Sequence, residues 1–260
     1  MLLEELLRST SSGTFLPYRF FIAWNGVPVL VYRGYPRPFV HLKQQVTAAF
    51  SELRKESPGS LVPKTTLGAI SQTAPPLSLA QLQQLKQICA LFEERFSLSQ
   101  QESEEENKEE RKQLRKCKVK AKKLSIVTYC NRSLEKVMSC QTISLKEEER
   151  GEEGEEDKEA KVDDNVVEMI KEWNEEEVYL QRVNCCNEES KHFPNREEHY
   201  RESKMGVTLV CYLQHQQTES KGLLAVIREF RKAVDDVFGK GFFVWFEEDA
   251  LHVTLRGLIG

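Results

Sequence analysis

The sequence HVTLRGLI at residues 252–259 decides the fold, because polar and apolar side chains alternate in it as they do in a half-buried strand. It follows KGLLAVIREFRKAVDDVFG at 221–239, where apolar residues recur at helical spacing and Gly239 stands at the end. GVTLVCYL at 206–213 comes before that helix and is typical of a strand. The three segments predict one strand–helix–strand unit.

An earlier part of the chain repeats this order. A strand is predicted at RFFIAW, 19–24, a helix at 40–55 and a strand at KTTLGAI, 64–70. From Phe20 to Lys64 is 44 residues, and from Val207 to His252 is 45. Each final strand begins with a basic residue, any residue, Thr and Leu. Either a duplicated unit or a chance match accounts for this echo.

The two units predict an α+β fold with two pseudo-symmetric lobes of antiparallel sheet backed by helices. An N-terminal segment, 1–14, precedes the first lobe, 15–98. A charged, partly disordered insert occupies 99–165, with strands predicted at 124–145, and the second lobe follows at 166–260. A further strand is predicted at 178–186.

Local signals support the first lobe. Asn25-Gly26 lies between two apolar runs and predicts a hairpin. Pro28 indicates that the second run is an edge strand or an extended segment. Ser78 and Gln81 form a capping box at the start of a helix. Residues 191–204 are predicted to be a polar loop.

The insert carries opposite charges in blocks. Residues 99–110 and 146–165 are acidic, whereas 111–123 holds eight Lys and Arg in thirteen residues. The basic run is typical of a nuclear-localisation or nucleic-acid-binding segment, and equally of a charged helix with internal ion pairs. The acidic blocks suit a protein partner that the sequence does not name.

Composition excludes several classes of protein. Net charge is −4, which gives no overall field for nucleic acid or membrane. No apolar run reaches 18 residues, so no membrane span is expected. Seven cysteines at irregular spacings favour a reducing compartment, cytoplasmic or nuclear. The set Cys185, Cys186, His192 and His199 does not match usual zinc spacings, so no metal or cofactor is expected.

The two echoed strands carry the candidate site. Side chains two residues apart share a face, so Lys64 lies beside Thr66, and His252 beside Thr254 with Arg256 beyond. If the strands are neighbours, these five line one cleft. Hydroxyls and cations bind phosphate, and a histidine serves as general acid or base. The alternative is a structural histidine on a strand that holds common strand threonines.

Residues 251–255, Leu-His-Val-Thr-Leu, resemble the His-x-Thr signature of the two-histidine phosphoesterases, the LigT-like and cyclic phosphodiesterase-like proteins. Members carry two such motifs on central strands of two lobes, and the resemblance covers 19–98 and 204–260. It implies that one histidine is the base and the other the acid on a phosphodiester or 2',3'-cyclic phosphate. It also implies that Thr66 and Thr254 hold the phosphate.

Lys64 stands where the family has its second histidine. A free lysine, with a pKa near ~10.4, is a poor base unless burial lowers that pKa, yet it binds phosphate as a point charge. Only five residues follow Leu255, so either residues 124–186 supply the strands that family members add there, or the lobe is truncated. The resemblance therefore implies a homologue that binds or hydrolyses an RNA end or small nucleotide. The alternatives are an inactive phosphate- or RNA-binding homologue and a protein-interaction module.

Overall fold

A computed structural model describes residues 2–23, 26–56, 60–96, 117–147, 161–174, 197–216 and 221–259. These residues form six α-helices and eleven strands, and all pairs of strands are antiparallel. The predicted α+β fold is confirmed. Most of the charged insert lies outside the described residues, as does the strand predicted at 178–186.

Helices and groups of strands follow one another along the chain. The helices are α1 (Leu2–Ser9), α2 (Arg37–Ala49), α3 (Leu79–Glu93), α4 (Asp164–Asn174), α5 (Glu197–Arg201) and α6 (Lys221–Phe238). The strands are β1 (Gly13–Phe15), β2 (Pro17–Ala23), β3 (Val27–Tyr32), β4 (Lys64–Thr66), β5 (Gly68–Ile70), β6 (Val119–Ala121), β7 (Lys123–Tyr129), β8 (Val137–Ser144), β9 (Gly206–Tyr212), β10 (Phe243–Trp245) and β11 (His252–Ile259).

The first sheet has the order β2-β3-β4, and the separate pair β5-β10 continues it. Only Leu67 separates β4 from β5. Its amide donates to the Pro28 carbonyl at 2.9 Å, and its carbonyl accepts from the Phe246 amide at 3.0 Å. The run from Lys64 to Ile70 therefore pairs with β3 over its first half and with β10 over its second half.

The second sheet has the order β11-β9-β7-β8. Strands β7 and β8 come from the predicted insert and agree within one residue with the strands expected at 124–130 and 138–145. One face of this sheet, with Leu124, Leu209 and Val253, joins the main core. Two strands from the predicted insert thus lie in the same sheet as β9 and β11.

One hydrophobic core joins the two units. Phe20 of β2 stacks on Phe230 of α6, with ring centroids 4.0 Å apart and an interplanar angle of 7°. Phe92 of α3 meets both rings edge to face. Offset and edge-to-face aromatic contacts add to the free energy gained from burying the rings. These contacts hold α3 and α6 against the first sheet.

Two capping predictions match the structure. The Ser78 amide donates to the Gln81 side chain at 2.9 Å, and the Gln81 amide donates to the Ser78 hydroxyl at 3.2 Å. This reciprocal pair begins α3. Gly239 has φ +87° and its amide donates to the Asp235 carbonyl, which ends α6. The predicted hairpin is also present, since β2 pairs with β3.

Three local predictions are wrong. Pro28 does not mark an edge, because β3 lies between β2 and β4. Its carbonyl accepts from the Leu67 amide, and the missing proline N–H is not needed because the Leu67 carbonyl opposite it accepts from the Phe246 amide. Helix α2 begins and ends earlier than predicted, and Val40 on it is 38% exposed. The described part of the expected polar loop is helix α5, on which Tyr200 is buried.

Each motif strand pairs with the strand that comes directly before the helix of its unit. In the first unit β3, and not β2, lies beside β4; in the second, β9 lies beside β11. The sequence echo therefore aligned β9 with β2, while the topology aligns it with β3. Both units consist of a strand, a helix and a motif strand paired antiparallel with the first strand.

Among the described residues, no helix combines the length and the apolarity needed to cross a bilayer.

The shared aromatic stack makes a stability prediction. Phe230→Ala removes a ring that is fully buried against β2 and α3, so we expect the free energy of unfolding to fall by about 3–5 kcal/mol in urea titrations. Val237→Ala, on the same helix at a position that is 52% exposed, is the control and should change it by about 0.5 kcal/mol or less. Equal effects would contradict the assigned packing.

Candidate functional site

Strands β4 and β11 are neighbours in space although they belong to different sheets. Several of their Cα atoms lie within 8 Å of each other. Each is the last strand in its own sheet order, and no backbone ladder joins them. The two motif strands that the sequence singled out therefore lie side by side.

On β4, side chains alternate between the core and the other face. Thr65 is fully buried, and its hydroxyl is 3.0 Å from the hydroxyl of Tyr32. Lys64 and Thr66 point the opposite way and keep part of their surface exposed. The structure thus places Lys64 and Thr66 together on one face.

On β11 the same alternation holds for the first four residues. Val253 and Leu255 are fully buried in the main core. His252 and Thr254 lie on the other face and are half-buried. The structure therefore brings a basic residue and a hydroxyl from each strand to neighbouring faces.

Arg256 departs from the predicted alternation. The β9–β11 register shifts between Thr254 and Arg256, so the strand has one extra residue there. Leu258, two residues further, packs against the main core, and Arg256 is only 3% exposed. Its Nη2 donates to the Arg54 carbonyl at 2.8 Å. The structure groups Lys64, Thr66, His252 and Thr254, and does not expose Arg256 beside them.

The His252 ring is held in one tautomer. Its Nδ1 lies 2.7 Å from the Ala250 carbonyl, and a carbonyl oxygen can only accept, so Nδ1 carries the proton. Nε2 then has the free lone pair. Burial lowers the pKa of His252 to about 4, which the hydrogen bond to Ala250 only partly offsets. At neutral pH the ring is uncharged, with a basic nitrogen available.

Lys64 is also perturbed by its surroundings. Burial lowers its pKa to about 8, and repulsion from Lys43 contributes in the same direction. Lys43, on α2, forms an ion pair with Glu56 at 2.6 Å and lies 3.9 Å from the centre of the Tyr35 ring. A lysine with a pKa near 8 is mostly protonated at pH 7 and loses its proton far more readily than a free lysine.

Behind the two motif strands lies a network that we call the anchor cluster: Tyr35, Lys43, Glu56, Ser60 and Arg256. The Tyr35 hydroxyl donates to the Thr254 carbonyl at 2.7 Å and also lies 3.1 Å from the Ser60 carbonyl, which accepts from Lys43 Nζ at 2.9 Å. Glu56 lies 3.9 Å from Arg256 Nη1. Burial and Glu56 raise the pKa of Tyr35, so it stays a donor. The cluster fixes the edge of β11.

His252 and Lys64 share an unusual environment. Both have enough protein around them for desolvation to be the main cause of their pKa shifts, yet each keeps some exposed surface. Side chains on a flat surface would lose much less water, and side chains in a closed core would expose nothing. Each of the two residues therefore lies in a crowded environment that still leaves part of its surface exposed.

Helix α5 forms a wall beside Thr66. Tyr200 on α5 is buried, interacts with Thr66 and contacts Phe246 with ring centroids 5.2 Å apart. The helix is fastened by Arg201, which donates to both oxygens of Glu135 at 2.8 and 2.9 Å. Sequence reasoning missed Tyr200, although a lone aromatic residue in a charged stretch is a usable signal for burial.

Sequence reasoning also missed the anchor cluster. Tyr35, Lys43 and Glu56 come from a loop, a helix and a second loop, and no motif or periodicity connects them. Their relation to Thr254 spans 219 residues for Tyr35 alone. Only the folded chain shows that these groups meet.

Within the described ranges, no three His, Cys, Asp or Glu side chains are grouped so that they could hold a metal ion. Cys185, Cys186 and His192 lie outside those ranges. His199, on α5, has its ring against the Arg132 guanidinium, at 2.7 Å from Nδ1.

The anchor cluster makes a stability prediction. Glu56→Gln leaves Lys43 and Arg256 without their carboxylate, so we expect a loss of about 3 kcal/mol in the free energy of unfolding. Glu52→Gln, at an exposed position nearby, is the control and should change it by less than about 0.5 kcal/mol. Urea titration of both variants measures this. An unchanged free energy of unfolding in Glu56→Gln would contradict the stabilising role assigned to the anchor cluster.

His252 makes a prediction on pH. Its pKa is about 4 in the folded chain and 6.5 as a free group, so the unfolded state binds more protons between those values. Stability therefore rises with pH across that window and is lost as pH falls through it, by about 2 kcal/mol after allowance for partial exposure. His252→Asn, which can still donate to Ala250, should flatten this slope in urea titrations, whereas the exposed His41→Asn should not. An unchanged slope in His252→Asn would show that His252 is not buried in the neutral form.

Comparisons with family models, with curated proteins and with solved structures found no match to this chain. The position of Lys64 and Thr66 on a strand that neighbours the strand of His252 and Thr254 is therefore the ground on which a function is proposed.

Proposed function

We propose that this chain is a LigT-like phosphoesterase homologue that binds a phosphodiester or a 2',3'-cyclic phosphate and hydrolyses it. The observation that carries the proposal is that β4 and β11 are neighbours. Each strand has one hydroxyl and one basic side chain that alternate with buried residues and are themselves only partly buried. The resemblance of residues 251–255 to the His-x-Thr signature supports it.

The phosphate is held by hydroxyls and by charge. Thr66 and Thr254 donate to the non-bridging oxygens, and Lys64 offsets their negative charge. Lys43 lies near Lys64 and adds a second positive charge. Glu56 balances that charge only in part, because the same carboxylate also lies close to Arg256. The excess of positive charge over one carboxylate favours an anion beside these side chains.

His252 supplies the base. Its Nδ1 proton is committed to Ala250, so Nε2 can take a proton from the attacking water. Burial keeps the ring neutral at pH 7, so Nε2 can accept a proton, and a bound phosphate anion would raise the low pKa of the ring towards the working pH and strengthen it as a base. Positioned base catalysis is worth about 10²–10⁴ in rate. No step in this scheme requires a metal.

The substrate class in the proposal is an RNA end or a small nucleotide, encountered in the cytoplasm or nucleus. Cyclic phosphates of this kind present two non-bridging oxygens, which match the two threonine hydroxyls. The described cysteines, at positions 89, 117, 130, 140 and 211, are unpaired, and this supports a reducing compartment.

A second candidate function is binding of the same ligands without turnover. The observation that favours it is Lys64 at the position of the second motif histidine, which removes one member of the acid–base pair that the resemblance implies. Binding needs only the hydroxyls and the positive charge, and both are retained. The two functions share one site and differ only in whether the ligand is cleaved.

Hydrolysis of 2',3'-cyclic AMP tests the proposal. We expect turnover by the wild-type chain and a loss of about 10²–10⁴ in kcat/KM for His252→Ala, because the base is gone. His41→Ala, at an exposed position on α2, is the matched control and should keep wild-type activity. Product release is measured by chromatography of the nucleotide.

Calorimetric binding of the product nucleotides separates the outcomes. Wild-type binding without turnover, lost in the double variant Thr66→Val and Thr254→Val, would establish the second function in place of the first. Neither binding nor turnover, or full activity in His252→Ala, would overturn the proposal.

A further inference from the structure

We propose that Tyr200 is a positioning residue, whose hydroxyl orients the Thr66 hydroxyl for phosphate binding. This inference rests on the proposed function and deepens it, because it names a residue outside the two motif strands that sets the affinity for the phosphate. Tyr200 lies on α5, far from both motifs in the sequence.

The two neighbouring threonines of β4 are each paired with a tyrosine. Thr65 points into the core, where its hydroxyl lies 3.0 Å from that of Tyr32. Thr66 points the other way, and its side chain is hydrogen-bonded to the side chain of Tyr200. Tyr32 and Thr65 are both fully buried, whereas Thr66 keeps part of its surface exposed. Only the second pair therefore includes a residue that solvent contacts.

Contacts on several sides hold Tyr200 in place. Its ring contacts Phe246 with centroids 5.2 Å apart, and its carbonyl accepts from the Ser133 amide at 3.0 Å. The next residue, Arg201, donates to both oxygens of Glu135 at 2.8 and 2.9 Å. A helix of five residues is not stable by itself, so these contacts are what keep it folded. The Tyr200 hydroxyl is thus in position before a ligand binds.

The same helix is tied to both units of the fold. Gln72, which follows β5, donates from its amide to the Glu197 carboxylate at 3.4 Å. Glu135, in the loop between β7 and β8, also accepts from the Glu247 amide after β10, at 3.2 Å. These ties fix Tyr200 relative to the strand that carries Thr66.

Arg132 determines which way the Tyr200 proton points. Its guanidinium lies 2.7 Å from His199 Nδ1, and the centroids of the His199 and Tyr200 rings are 5.1 Å apart. Arg132 also acts electrostatically on the Tyr200 hydroxyl, which burial keeps protonated by raising its pKa. A positive charge attracts the lone pairs of a hydroxyl oxygen and repels its proton. The Tyr200 proton therefore points away from Arg132 and is donated to Thr66.

This direction leaves the Thr66 proton free for the phosphate. A hydroxyl has one proton to donate and two lone pairs that accept, so Thr66 can accept from Tyr200 and still donate. A hydroxyl that accepts one hydrogen bond is polarised and becomes a better donor in the next. Fixing its rotation beforehand also lowers the entropy that ligand binding costs. Tyr200 therefore strengthens phosphate binding through Thr66 without touching the ligand.

Tyr200→Phe tests the inference, because it removes the hydroxyl and keeps the ring that contacts Phe246. We expect calorimetric binding of 2'-AMP to weaken about three- to tenfold, the effect of losing one hydrogen bond. The KM for 2',3'-cyclic AMP should rise by a similar factor. Urea titration shows that the variant is folded under the conditions of the binding measurement.

The decisive readout is a double-mutant cycle with Thr66→Val. That substitution removes the hydroxyl on which Tyr200 acts, so adding Tyr200→Phe to it should weaken binding of 2'-AMP by less than about twofold further. A purely structural role for Tyr200 would weaken binding by the same factor whether or not Thr66 carries its hydroxyl.

Tyr32→Phe is the matched control, because it breaks the equivalent pair on the core side of the same strand. It leaves the buried Thr65 hydroxyl without its partner, so the urea midpoint should fall. Binding of 2'-AMP should stay within about twofold of wild type, since loss of stability alone does not alter the site.

Three results would overturn the inference. If Tyr200→Phe binds 2'-AMP within about twofold of wild type and leaves KM unchanged, the hydroxyl orients nothing, and the proposed function stands. If Tyr200→Phe weakens binding equally with and without the Thr66 hydroxyl, Tyr200 acts by another route. If wild type neither binds 2'-AMP nor hydrolyses the cyclic nucleotide, the inference and the proposed function fail together.

Discussion

The Tyr35 hydroxyl, which donates to the Thr254 carbonyl, fastens the free edge of β11 to the segment that leads from β3 into α2. Strands β4 and β11 each end a sheet, and an unpaired strand edge leaves backbone groups without partners. Here the Tyr35 side chain, and not a neighbouring strand, provides the hydrogen-bond partner for one of these groups, the Thr254 carbonyl. The two motif strands therefore stay close without forming a continuous sheet, and each has half-buried polar side chains.

Burial then sets the charge states on the two motif strands. The same loss of water lowers the pKa of His252 to about 4 and that of Lys64 to about 8, since desolvation disfavours the charged form of each. Lys43 contributes to Lys64 because the anchor cluster holds it there through Glu56, Ser60 and the Tyr35 ring. The anchor cluster that fixes β11 therefore also influences the protonation state of Lys64.

Periodicity predicted most of the fold. The alternation in HVTLRGLI, the helical spacing in 221–239 and the capping box at Ser78 are local signals, and the structure matches each of them to within a few residues. Local signals do not predict features of the fold that depend on contacts between distant parts of the chain. Pro28 lies in an interior strand because the Leu67 carbonyl opposite it accepts from Phe246 and needs no proline N–H, and the alternation in β11 breaks at a bulge before Arg256.

For the candidate site, the sequence predicted which residues share a face on each strand, since that follows from a period of two. It did not predict the protonation states or the residues that set them. Those depend on Tyr35, Lys43 and Glu56, which approach the motif strands only in the folded chain. The likeness between the two motifs was visible in the sequence, whereas the pairing of β4 with β3, and not β2, required the sheet order.

The most direct measurement is a crystal structure with inorganic phosphate bound. The account predicts one phosphate between β4 and β11, with its oxygens within about 3 Å of Lys64 Nζ, the Thr66 and Thr254 hydroxyls and His252 Nε2. A phosphate bound elsewhere, with the gap between these four side chains closed or too wide for one anion, would contradict it.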